Sequence, residues 1–167
     1  MARGLLTYLG LGTTAPDLRT HGVAAAARPW SPSLRVVGEA LNRHDTKAAL
    51  RALRDADRRA LDADGWDGLL EVGDAYVRAA GASRSRKMFL LRARQSYLAA
   101  LHRARRHGSL DGVLRTAGRF AELGDRESTE QCWMIAEEMA DTAEARGRVR
   151  RLARRQAPAV AVSRAGV

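Results

Sequence analysis

The 167-residue chain predicts an all-α fold, and three observations carry that prediction. The first is composition: alanine is abundant and aromatics make up only 5% of the residues, which favours helices with small faces that pack closely. The second is the absence of proline between Pro32 and Pro158. The third is spacing. Leu69, Val72, Gly73 and Tyr76 fall at i, i+3, i+4 and i+7, and Ala93, Tyr97, Ala100 and Leu101 repeat the pattern, as do Trp133, Ala136, Ala140 and Ala143. No segment alternates with period two for long enough to make a strand.

Taken in order, Pro29 and Pro32 mark the start of the folded part, with Ser31 or Ser33 as the cap of a first helix over 33–43. Breaks follow at Asn42–Asp45, Asp62–Gly65, Gly81–Ser85, His107–Gly112 and Gly124–Asp125. They divide the chain into helices over 46–61, 66–80, 88–107, 110–123 and 126–144, and a last helix to about 155. Short turns between successive helices give antiparallel pairs, the arrangement of an α-solenoid or a bundle. Residues 1–30 read as a flexible arm. The apolar run from Gly4 to Gly12 is too interrupted by Tyr8 and glycines for a signal peptide, but Leu5, Leu6, Tyr8 and Leu9 suit docking on a partner. Residues 156–167, with Pro158 and alternating Ala and Val, read as a disordered tail.

One stretch repeats. Ala117, Phe120, Gly124-Asp125, Thr129, Trp133 and Ala136 place a small residue, an aromatic, a turn, and then small, large and small residues on two consecutive helices. Gly73 and Tyr76, then Ala93, Tyr97 and Ala100, repeat that order around an insertion of about eight residues near Gly81–Met88. Asp45, Ala49, Leu53 and Ala56 trace a fainter earlier copy. Over residues 33–143 the pattern resembles the tetratricopeptide repeat. The resemblance implies a short solenoid of stacked helix pairs, with the final helix as a cap: Ala145, Val149, Leu152 and Ala153 share one of its faces. It also implies a groove lined by the first helix of each pair, at Leu70, Asp74 and Arg78 and at Leu114, Gly118 and Glu122. Of these only Arg78 suits the clamp by which the family holds a C-terminal carboxylate, so the expected groove contacts, Asp74, Arg78, Leu114 and Arg115, point to another peptide or a helix.

The net charge is +10, carried almost wholly by arginine, since Lys47 and Lys87 are the only lysines. Heavy use of Arg, Ala and Gly is also the mark of a GC-rich bacterial genome. The charge is blocked. Nine bases and no acid lie between Ala75 and Leu110, and Arg84, Arg86, Lys87, Arg92, Arg94, Arg103, Arg105 and Arg106 form the candidate basic patch. Eight acids against Arg126 follow from Glu122 to Glu144, and then six arginines from Arg146 to Arg155. Such blocks pair with each other within or between chains, or bind phosphate or an acidic protein.

The motifs of catalysis are missing. There is no Walker-type or dinucleotide glycine loop, no metal-ligand spacing among His21, His44, His102 and His107, and no paired carboxylate, since Glu137 and Glu138 point to different faces. Cys132 is the single cysteine, which allows no internal disulfide and fits a reducing, cytoplasmic setting. No apolar run approaches the roughly 18 residues of a membrane span. The expectation is a protein without enzymatic activity or cofactor: an interaction module, adaptor or scaffold subunit that binds a peptide or helix of a protein partner and either self-associates or docks on a larger partner. Nucleic-acid binding through the arginine-rich helices is the alternative, opposed by the acidic block, and peripheral membrane attachment through the termini is the weaker one.

Overall fold

The computed structural model describes residues 28–156, and over them the chain is helical throughout: α1 (Ser31–Asn42), α2 (Thr46–Asp62), α3 (Asp67–Gly81), α4 (Arg86–Arg106), α5 (Leu110–Leu123), α6 (Arg126–Met139) and α7 (Ala143–Gln156). No strand occurs among the described residues. Residues 1–27 of the expected arm and residues 157–167 of the expected tail lie outside them.

Three of the turns are one device. His44, Gly108 and Gly124 adopt left-handed φ values of 57°, 65° and 74°. After each, the next amide donates back across the turn, from Asp45 to the Ala40 carbonyl, from Ser109 to that of Ala104, and from Asp125 to that of Phe120. The same three residues then cap the following helix. The side chains of Asp45, Ser109 and Asp125 accept from the amides of Ala48, Gly112 and Ser128 at 2.9, 3.1 and 3.2 Å. One residue closes a helix and its neighbour opens the next, so each chain reversal takes two or three residues.

Each helix packs on those before and after it, and α1 also meets α3, as α5 meets α7. Side-chain bonds tie alternate helices together. In one layer Trp30 Nε1 donates to Glu71 on α3 (2.7 Å), Arg119 on α5 pairs with Asp74 on α3 (2.8 Å), and Arg148 on α7 pairs with Asp111 on α5 (3.0 Å). In the other, Ser96 on α4 donates to Asp57 on α2 (3.4 Å), and Arg94 on α4 pairs with Asp125, the cap of α6 (2.5 Å). The odd-numbered helices thus form one layer of the stack and the even-numbered ones the other.

The core between the layers alternates large and small residues. Tyr76, Phe89, Tyr97 and Phe120 are buried among Ala75, Ala79, Ala93, Ala100 and Ala117. A Cβ on Gly73 would lie 2.2 Å from a carbon of the Tyr97 ring, so only glycine admits that ring. Tyr97 in turn meets Phe120 edge to face, with centroids 5.8 Å apart. Ala49, Leu53, Ala56, Tyr76, Ala93, Ala100, Ala117, Phe120, Thr129 and Ala136, picked out by spacing, are all buried, while Trp133 is half-buried.

Three boundaries differ from the sequence reading. The expected helix over 126–144 stops at Met139, because Ala140 turns to extended backbone (ψ 93°) and Thr142 starts a new helix by accepting from the Ala145 amide (3.1 Å). Arg146 reaches back to hold the freed carbonyls of Ala140 and Asp141 at 3.0 and 3.2 Å. The insertion near Gly81–Met88 is shared between a four-residue turn over 82–85 and the start of α4, which begins at Arg86 and runs for 21 residues. Trp30, assigned to the arm, is 5% exposed and belongs to the core. α7 lies against α5 and α6 with Val149 fully buried and Ala145, Leu152 and Ala153 half-covered.

Candidate partner-binding groove

Between α3 and α5 the odd layer opens into a groove of two adjoining hollows. Val77, Arg78, Tyr97 and Leu123 line one, Trp66, Leu70, Leu114 and Gly118 the other, and Asp74, Arg119 and Glu122 stand where they join. The four residues expected there, Asp74, Arg78, Leu114 and Arg115, all lie along it, but in different roles.

Asp74 is committed to the fold. It accepts the Tyr97 hydroxyl at 2.7 Å and pairs with Arg119 Nε at 2.8 Å. Tyr97 itself belongs to α4: its ring fills the space beside Gly73 and its hydroxyl emerges on the groove side. Burial and then the bond to Asp74 push that hydroxyl well above the usual phenol range, so it stays a donor at any ordinary pH. Leu114, 5% exposed, is the floor and not a rim contact. Arg115 is exposed, pairs with Asp111 at 2.8 Å and sets its guanidinium over the Trp66 ring, 5.5 Å from the centroid. Arg78 is exposed and, among the described residues, makes no ion pair, which leaves it able to meet a partner's carboxylate.

Sequence reasoning missed Trp66, Arg119 and the Tyr97 hydroxyl. Arg119 had a signal, lying one turn beyond Arg115 on α5. Trp66 sits just ahead of α3 in a turn, where no helical spacing singles it out.

The basic patch does not form as one surface. Arg103 is structural: its guanidinium donates to the carbonyls of Ala60 (2.9 Å), Leu61 (2.5 Å) and Ala63, closing the C-terminal end of α2, and also to Gly65 (3.2 Å). Arg94 is engaged with Asp125 and Ser128. Arg84, Arg86, Lys87, Arg92, Arg105 and Arg106 are exposed. They fall into groups at the two ends of α4, roughly 27 Å apart from Lys87 to Arg105 at the rise of an α-helix.

Cys132 is fully buried, and burial pushes its thiol up to about 12. Among the described residues no helix is long and apolar enough to cross a membrane. Compared with known proteins, the chain matches no family model and no curated relative. What the groove does is therefore read from its own side chains.

Proposed function

We propose that the protein is a non-catalytic interaction module, an adaptor or scaffold subunit built on tetratricopeptide-like helix pairs, and that it receives a peptide or helix of a protein partner in the α3–α5 groove. The groove itself carries this reading. An apolar floor of Leu70, Val77, Leu114 and Leu123 is rimmed by the cations Arg78 and Arg115 and by Glu71 and Glu122. Apolar surface gives such a site affinity, and charges on its rim fix register and direction. Arg78 and the Arg115–Trp66 stack favour a ligand with acidic residues on the matching side. A cytoplasmic setting belongs to the same proposal.

The test is affinity purification with the whole chain as bait from nuclease-treated lysate, at about 0.15 M and about 0.5 M salt, beside the groove variant Arg78→Glu/Arg115→Glu. A stoichiometric protein retained by the parent chain at both salts and lost from the variant is the expected result. Retention that needs nucleic acid and disappears at the higher salt overturns it, and so does a variant that holds the same protein equally well.

A further inference from the structure

The even layer turns a second surface to solvent, on the opposite side from the groove and independent of it. On α4 its exposed ridge carries Leu91 (56% exposed), Gln95, His102, Arg105 and Arg106, with Leu98 half-covered. On α6 it carries Glu127, Glu130, Met134 (60% exposed), Glu137 and Glu138. The two ridges are opposite in charge, and each has an exposed large apolar side chain.

These charges are not neutralised where they stand. Glu130 is held by Arg126 at 2.7 Å, but Glu127, Glu137, Glu138, Arg105 and Arg106 form no ion pair among the described residues. Glu137 and Glu138 also occupy the last turn of α6, which has no basic residue. A helix ends in negative partial charge, so acids there are unfavourable unless a cation comes from elsewhere.

Their positions match. Arg94 beside Asp125 sets α4 and α6 in register within the layer, and because one reversal separates each of them from α5, they run in the same direction. Counting along both helices from that pair puts Glu137 level with Arg106 and Glu138 one residue beyond it, with Arg105 one residue before, and Met134 level with Arg103, next to His102. A two-fold axis parallel to the helices and midway between them would lay α4 of one copy on α6 of another, twice over. In both α4–α6 pairings the arginines then face glutamates at the C-terminal ends of the helices, and Met134 faces the stretch around His102.

We propose that this face is the interface of a homodimer, with a second copy of the chain as its occupant and α4 seated on α6 of the partner in both directions. Sedimentation equilibrium of the full chain tests it. The expected parent protein is a dimer at about 0.05 M salt whose Kd weakens at least roughly tenfold at about 0.5 M. Arg105→Glu/Arg106→Glu and Glu137→Lys/Glu138→Lys are each expected to be monomeric, since each sets like charge against like. All four residues are exposed, and unchanged circular dichroism confirms the fold. Mixed one to one, the two variants are expected to form a heterodimer, and the chain with all four reversals a homodimer. A parent chain that stays monomeric overturns the proposal. So does a dimer that survives either reversal, a mixture that does not associate, or reversals at Arg105 and Arg106 that abolish only nucleic-acid binding.

Discussion

Two glycines in helix interiors make opposite predictions from the same substitution. Gly73→Ala would drive a methyl into the Tyr97 ring, with ring carbons 2.2 and 2.6 Å away and backbone holding both helices. We expect it to cost about 1–3 kcal/mol in denaturant unfolding, the usual range for an overpacked core. Around Gly38 in α1 nothing lies within 4 Å of a Cβ. Gly38→Ala is expected to stabilise by about 0.5–1 kcal/mol, because alanine loses less chain entropy on entering a helix. Gly73 was legible in sequence as the small residue in the first helix of a pair, but the Tyr97 ring that requires it belongs to the helix packed opposite, which spacing within α3 does not reveal.

At the scale of helices and turns, His44 does the work that glycine does at 108 and 124, in the same left-handed conformation. His44→Gly is expected to raise stability by roughly 1 kcal/mol by removing Cβ crowding, measurable as a shift of the urea midpoint at constant slope. The turns were readable from Asn, Asp, Gly and Ser at the breaks, and the pairing of helices followed from their shortness. The end of α6 was not. Trp133, Ala136, Ala140 and Ala143 keep an unbroken helical spacing. The break between Met139 and Ala143 depends on Arg146 folding back onto two carbonyls, and no local preference announces a bond of that kind. Arg103 was misread for a related reason. In sequence it is one cation among nine, and only the meeting of α4 with the end of α2 turns it into a cap.

For the whole molecule, two carboxylates between the even helices give stability opposite dependences on pH. Burial against α4 raises the pKa of Asp57, with the Ser96 hydroxyl and Arg92 opposing. Its ionised form therefore destabilises the fold, and that cost appears as pH rises above the usual carboxylate range. For Asp125 burial also pulls upward, but Arg94 and Ser128 outweigh it and the pKa is lowered. Its contribution is present above the unfolded value and disappears as pH falls through the folded one. Relative to the parent chain, Asp57→Asn should gain stability between pH about 3 and pH about 7, while Asp125→Asn should lose it over the same interval. Urea titrations at both pH values read the two signs directly.

Tyr97 passes through the wall that separates the core from the groove, with its ring on one side and its hydroxyl on the other. Anything that draws Asp74 away must disturb a side chain wedged between three helices. A guest in the groove would therefore be announced in the interior. With 3-fluorotyrosine in place of the three tyrosines, the fluorine signal of Tyr97 becomes a gauge of occupancy, readable before the guest has been identified.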